Sequence, residues 1–169
     1  TANEIIDGFA VTTDGATIAV GPVTPTGNGI VAGSASGTPV VRVVDATGLV
    51  VADWLTYPPQ TNGGTSVAVA NLDGVGNAEI VTVPYTGPLR VRAFNSDGSP
   101  FVLSTTAQPV DFVVPSGVTG AATGFRVAVA DIDLDDRREL LVIADVPGAK
   151  KVFAFELEGT AVTGWPTDR

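Results

Sequence analysis

Three copies of one apolar pattern run through the chain, so its fold must be assembled from like units. The copies open on Thr17-Ile-Ala-Val20, Ser66-Val-Ala-Val69 and Arg126-Val-Ala-Val129, each with a glycine just ahead, at Gly15, Gly64 and Gly124. After nine residues in the first copy (21–29) and ten in the others (70–79 and 130–139) comes a second apolar run: Ile30-Val-Ala-Gly33, Ile80-Val-Thr-Val83 and Leu140-Leu-Val-Ile143. A third run follows, Val41–Asp45, Val91–Asn95 and Val152–Glu156, and then a turn glycine, Gly48, Gly98 or Gly159. The period read from those glycines is 98 − 48 = 50 and then 159 − 98 = 61, so the middle copy carries an insertion, placed at 105–123. Trp54 and Trp165 stand six residues past the first and third turn glycines, where the middle copy has Ser104.

Runs of Val, Ile, Thr and Phe between evenly spread glycine and proline predict short strands joined by turns. No stretch has a convincing helical period; the nearest, 131–143, opens on an acidic half that reads as a loop feeding a strand. Each copy holds four strand-sized segments, and one such sheet cannot bury both its faces alone. The expected fold is therefore all-β, with three four-stranded antiparallel blades of the propeller type. That is a partial β-propeller, or one completed by oligomerisation. A β-sandwich with fortuitous similarity is the alternative. The expected units are 15–63, 64–123 and 124–169, preceded by an N-terminal strand within 1–14.

Composition narrows the chemistry. His and Cys are both 0, which excludes imidazole bases, thiol nucleophiles, disulfides and His or Cys metal ligands within the chain. With Asp+Glu 18 against Lys+Arg 9, the net charge is -9, opposed to nucleic acid and anionic membranes and suited to a cation. There is no apolar run long enough to span a membrane. Residues 1–10 lack the pattern of a leader, and Met is 0, so the chain reads as a processed mature protein or a piece of a longer one.

The loop after the first strand is where chemistry concentrates. In the third copy Asp131, Asp133, Asp135 and Glu139 occupy positions 1, 3, 5 and 9, with the Arg137 carbonyl available at position 7. Alternate side chains on a curled loop can converge on one ion, and calcium takes six to eight oxygens. Arg137 and Arg138 offset part of the repulsion if no ion is bound. The second copy offers a degenerate set, Asn71, Asp73, Asn77 and Glu79, with Val75 at position 5. The first copy, Gly21–Gly29, has no ligand side chain at these positions. An EF-hand is a poor fit, because Val142 stands where that motif needs Glu and the flanks are strands.

The block from Gly124 to Val142, with the ending Leu157–Pro166, resembles the FG-GAP/VCBS repeat. That family builds the propeller of integrin α-subunits and of many bacterial secreted and surface proteins. The resemblance is specific in the third copy, fair in the second and weak in the first. It implies a calcium loop of the form Asp-x-Asp-x-Asp-Gly-x-x-Asp, carried here by Asp131, Asp133, Asp135 and Glu139. Two positions depart from it: Asp136 replaces the glycine and Glu139 the last aspartate.

A periodic loop that decays between copies argues against an enzyme. The function expected is a non-enzymatic, extracellular calcium-binding module for adhesion, surface assembly or scaffolding. The alternatives are a self-assembling subunit of a secreted fibre or sheath, and a lectin-like binding module for glycans. Trp54, Trp165, Tyr57 and Tyr85 read as core anchors, with a sugar-stacking platform as the other possibility. Three blades fall short of the four to eight that close a propeller, so self-association through sheet edges is expected. The segment Glu4–Thr12 would donate a strand, burying Ile5, Phe9 and Val11.

Overall fold

The computed structural model describes residues 15–58, 63–114 and 122–162. The expected strand-exchange residues Ile5, Phe9 and Val11, and Trp165, lie outside these. All regular structure among the described residues is β, in three antiparallel sheets. The first is β1 (Ala16–Thr24), β2 (Gly27–Ser34), β3 (Val40–Val44) and β4 (Val50–Leu55), in that order. The second is β5 (Thr65–Ala70), β6 (Glu79–Pro84), β7 (Arg90–Phe94) and β8 (Asp111–Val113). The third is β9 (Gly124–Ala130), β10 (Glu139–Val146) and β11 (Ala149–Phe155). The third sheet has three strands among the described residues, where four were expected.

The turn after the third strand is the same structure three times. Gly48 N–H donates to Asp45 O, Gly98 N–H to Asn95 O, and Gly159 N–H to Glu156 O. All three glycines have φ between 86° and 88°, a left-handed conformation that favours glycine.

The sheets stack face to face, with β5 against β1 and β9 against β5. Val23, Val31, Val41 and Val43 of the first sheet meet Val67, Ala78 and Ile80 of the second. A larger core joins Val81, Val83 and Val91 to Phe125, Leu140, Val142 and Phe153. Each junction is fastened by a ring. Trp54 of β4 packs 5.6 Å from Phe94, and a Cβ on Gly98 would lie 2.8 Å from its indole. Phe112 of β8 packs 5.6 Å from Phe155, and a Cβ on Gly159 would lie 2.7 Å from its ring. Only glycine fits beneath either ring.

Phe112, not Ser104, is thus the middle counterpart of Trp54: Val41 pairs with Trp54 and Val91 with Phe112. The extra residues form a small excursion. Ala93 accepts from Phe101 N–H and donates to Val110 O, and Val102 bridges Pro109, before the chain returns as β8. The outer strand of the second sheet therefore lies inside 105–123.

The first copy's loop is also not a loop. β1 runs on to Thr24 and turns directly into β2, with a register shift between Gly21 and Thr24. Pro22 O there accepts from Ala78 N–H of the second sheet.

The aromatic residues expected to anchor or to stack on sugars act as ties between sheets. Tyr57 is buried, its hydroxyl 3.0 Å from Thr82 Oγ1 and donating to Arg90 O at 2.9 Å. Burial pushes the Tyr57 hydroxyl well above the usual tyrosine range. Tyr85 lies under the Arg126 guanidinium, 3.4 Å from its ring centroid, a cation–π contact.

Candidate metal centre

β9 and β10 end in register, Ala130 opposite Glu139, and 131–138 curls between them. The curl is held by the side chains expected to bind a cation. Asp131 Oδ1 accepts from Leu134 N–H at 2.7 Å and its Oδ2 from Asp136 N–H at 3.2 Å. Glu139 is fully buried, and its Oε2 accepts from Ile132 N–H at 2.7 Å. Leu134 and Asp136 take φ of 64° and 67°. The Asp136 position thus has the positive φ that a glycine satisfies best.

Carboxylate oxygens of Asp131, Asp133 and Glu139 lie within 4.8 Å of one another. Asp135 does not join them. Its Oδ1 accepts from Arg137 N–H at 2.9 Å, and the Arg137 guanidinium pairs with Glu158 at 3.0 Å. Glu139 Oε1 is buried with no hydrogen-bond partner. A buried carboxylate oxygen left without a donor is costly unless a cation meets it. The donor set is all oxygen and mostly charged, which suits calcium, magnesium or manganese rather than zinc.

The second loop, between β5 and β6, repeats the scaffold with fewer ligands. Glu79 Oε2 accepts from Leu72 N–H at 2.7 Å, and Asn71 Oδ1 from Gly74 N–H at 2.5 Å. Asp73 Oδ1 accepts from Val75 N–H, and Asn77 turns away, its amide donating to Ser96 Oγ. Val75 is exposed. Asn71, Asp73 and Glu79 therefore form a capped turn that Asn77 does not join. Burial raises the Glu79 carboxyl above the usual range, against the Leu72 N–H and with help from Asp73.

One acidic residue near the third loop was not among the expected ligands. Glu156 follows Phe155, which pairs with Leu140, so it stands beside Glu139 at the end of β11. Its Oε2 is buried with no hydrogen-bond partner. Burial raises its carboxyl above the usual range; Arg137 opposes this, and Glu139, Asp133 and Asp135 add to it. Only the pairing of β10 with β11 brings Glu156 here, and spacing within the loop holds no sign of it.

No protein-family model matches the chain, and no curated protein matches it either.

Proposed function

We propose that this chain is a non-enzymatic repeat module whose sheets are arranged as propeller-type blades, with calcium held structurally by the third loop. Its work would lie outside the cell, in adhesion, surface assembly or scaffolding. The observation that carries this reading is Glu139: fully buried, one oxygen capping the loop, the other without a partner beside Asp131 and Asp133. The blade arrangement is supported by the successive stacking of β1, β5 and β9 and by the ring-over-glycine contact at both junctions. Extracellular modules bind calcium weakly, which suits a loop with few converging carboxylates.

The test is a melting curve in calcium and in chelator. An ion that binds only the folded chain stabilises it by about 2.7 kcal/mol at one hundred times its dissociation constant. Asp133→Ala should abolish the increment, and Asp73→Ala should leave most of it. A chelator that leaves the wild-type curve unmoved overturns the reading.

Self-association is favoured by a specific observation. Val67 packs into the first junction, yet its counterpart Ile18 in β1 is 69% exposed, and Val20 is 62% exposed. The first sheet thus offers the apolar face that the second buries. Light scattering of the full chain decides it: a dimer or polymer supports association, and a monomer at high concentration ends it.

A further inference from the structure

Resting on the calcium reading, we infer that Glu156 belongs to the same cation centre, as a carboxylate supplied from β11 rather than from the loop. Its counterparts in the first two copies are Asp45 and Asn95. Asp45 turns its carboxylate onto its own turn, accepting from Thr47 N–H at 2.8 Å and Leu49 N–H at 3.0 Å. Asn95 is also spent locally, its amide donating to Ser99 Oγ at 2.9 Å. Glu156 keeps the backbone of that turn, donating its N–H to Thr160 O, but its side chain leaves an oxygen buried and unpartnered.

Glu156 stands beside Glu139, the residue that closes the loop, by register. The nearest loop cation does not neutralise it by pairing, because the Arg137 guanidinium is held by both oxygens of Glu158, at 3.0 and 3.3 Å. Two buried carboxylate oxygens, Glu139 Oε1 and Glu156 Oε2, thus lack a donor on adjacent strand ends. Glu156 stands outside the 4.8 Å cluster of Asp131, Asp133 and Glu139, and a hard divalent cation that draws it in would satisfy both oxygens and add a ligand from outside the loop to a shell that Asp135 does not complete.

The experiment is calcium titration calorimetry on the full chain as wild type, Glu156→Gln and Glu158→Gln, with melting curves in chelator. Glu156→Gln should weaken calcium binding about tenfold or more. Glu158→Gln, which removes the same charge from an exposed pair, should weaken it less than about threefold. In chelator Glu156→Gln should melt no lower than the wild type, since it removes an unpaired buried charge. Equal affinity for wild type and Glu156→Gln overturns the assignment, as does equal weakening by both variants. A lower melting temperature for Glu156→Gln in chelator makes the residue structural and overturns it too. Failure of the wild type to bind calcium removes the calcium reading itself, and the role of Glu156 with it.

Discussion

Loops 71–79 and 131–139 share one backbone and meet its demands in opposite ways. In each, the first residue's side chain accepts from the N–H three residues on, and a buried glutamate closes the loop at 2.7 Å. Each places two residues at positive φ, at 74 and 76 in one and 134 and 136 in the other. The second loop has Gly74 and Gly76 there, and bears Val75 where an acid would sit. The third keeps its acids and forces Leu134 and Asp136 into the left-handed region. Backbone comfort and ligand content therefore vary independently, and the curl itself does not need a full set of ligands.

The strongest way to break this comparison is to move the ligands. Asn71→Asp with Val75→Asp gives the second loop the acids of the third on a backbone already suited to the turn. Calorimetry should then count two calcium ions per chain instead of one. The added stabilisation should be about 1.4 kcal/mol at free calcium ten times the new dissociation constant. A stoichiometry that stays at one shows that the ligand set alone does not make the site.

A smaller effect comes from moving the glycine. Leu134 is 86% exposed, so its side chain contributes no packing. A left-handed leucine costs roughly 1–2 kcal/mol, and the greater freedom of glycine in the unfolded chain cancels part of the relief. Leu134→Gly should raise stability in chelator by about 0.5–1 kcal/mol, read from urea unfolding. The reciprocal Gly74→Leu should lower it by a similar amount. Equal stability of wild type and Leu134→Gly would mean that the loop relaxes without strain.

The smallest effect sharpens the acid left behind in the second loop. The Glu79 carboxyl is raised by burial, so its charged form is penalised in the folded chain. The wild type therefore gains stability as pH falls and Glu79 is protonated, and carries the penalty above that range. Glu79→Gln should be more stable at pH 7 by under about 1 kcal/mol, with the gap closing as pH falls to about 4. A gap that is constant with pH would assign the difference to packing.

Much of this was legible in the residues. The repeat glycines, the turn at Gly48, Gly98 and Gly159, and the curl at 131–139 all follow from spacing, because each depends on residues close in the chain. What escaped depends on distance. The outer strand Asp111–Val113 was hidden because counting from Gly98 assumes no excursion between turn and strand, and three residues carry little pattern. The same assumption pointed to Ser104 rather than Phe112. The first copy's hairpin came within one residue of the loops' length while changing its nature. Asp135 is spent on a neighbouring N–H, and Glu156 arrives by strand pairing; neither is a matter of loop spacing.

The ring-over-glycine contact has a consequence for how such a chain can grow. The first and second sheets each bear a ring on their fourth strand, and the second and third seat the preceding sheet's ring on their turn glycine. A duplicated unit inherits both halves of the fastening, so a tandem copy fits its parent without any new mutation. Trp54 and Phe112 show that the seat accepts rings of different size, so the ring can drift while the glycine cannot. The excursion before β8 shows that residues can be inserted between the two halves without parting them. Lengthening and diversification are thereby confined to places the fastening does not touch.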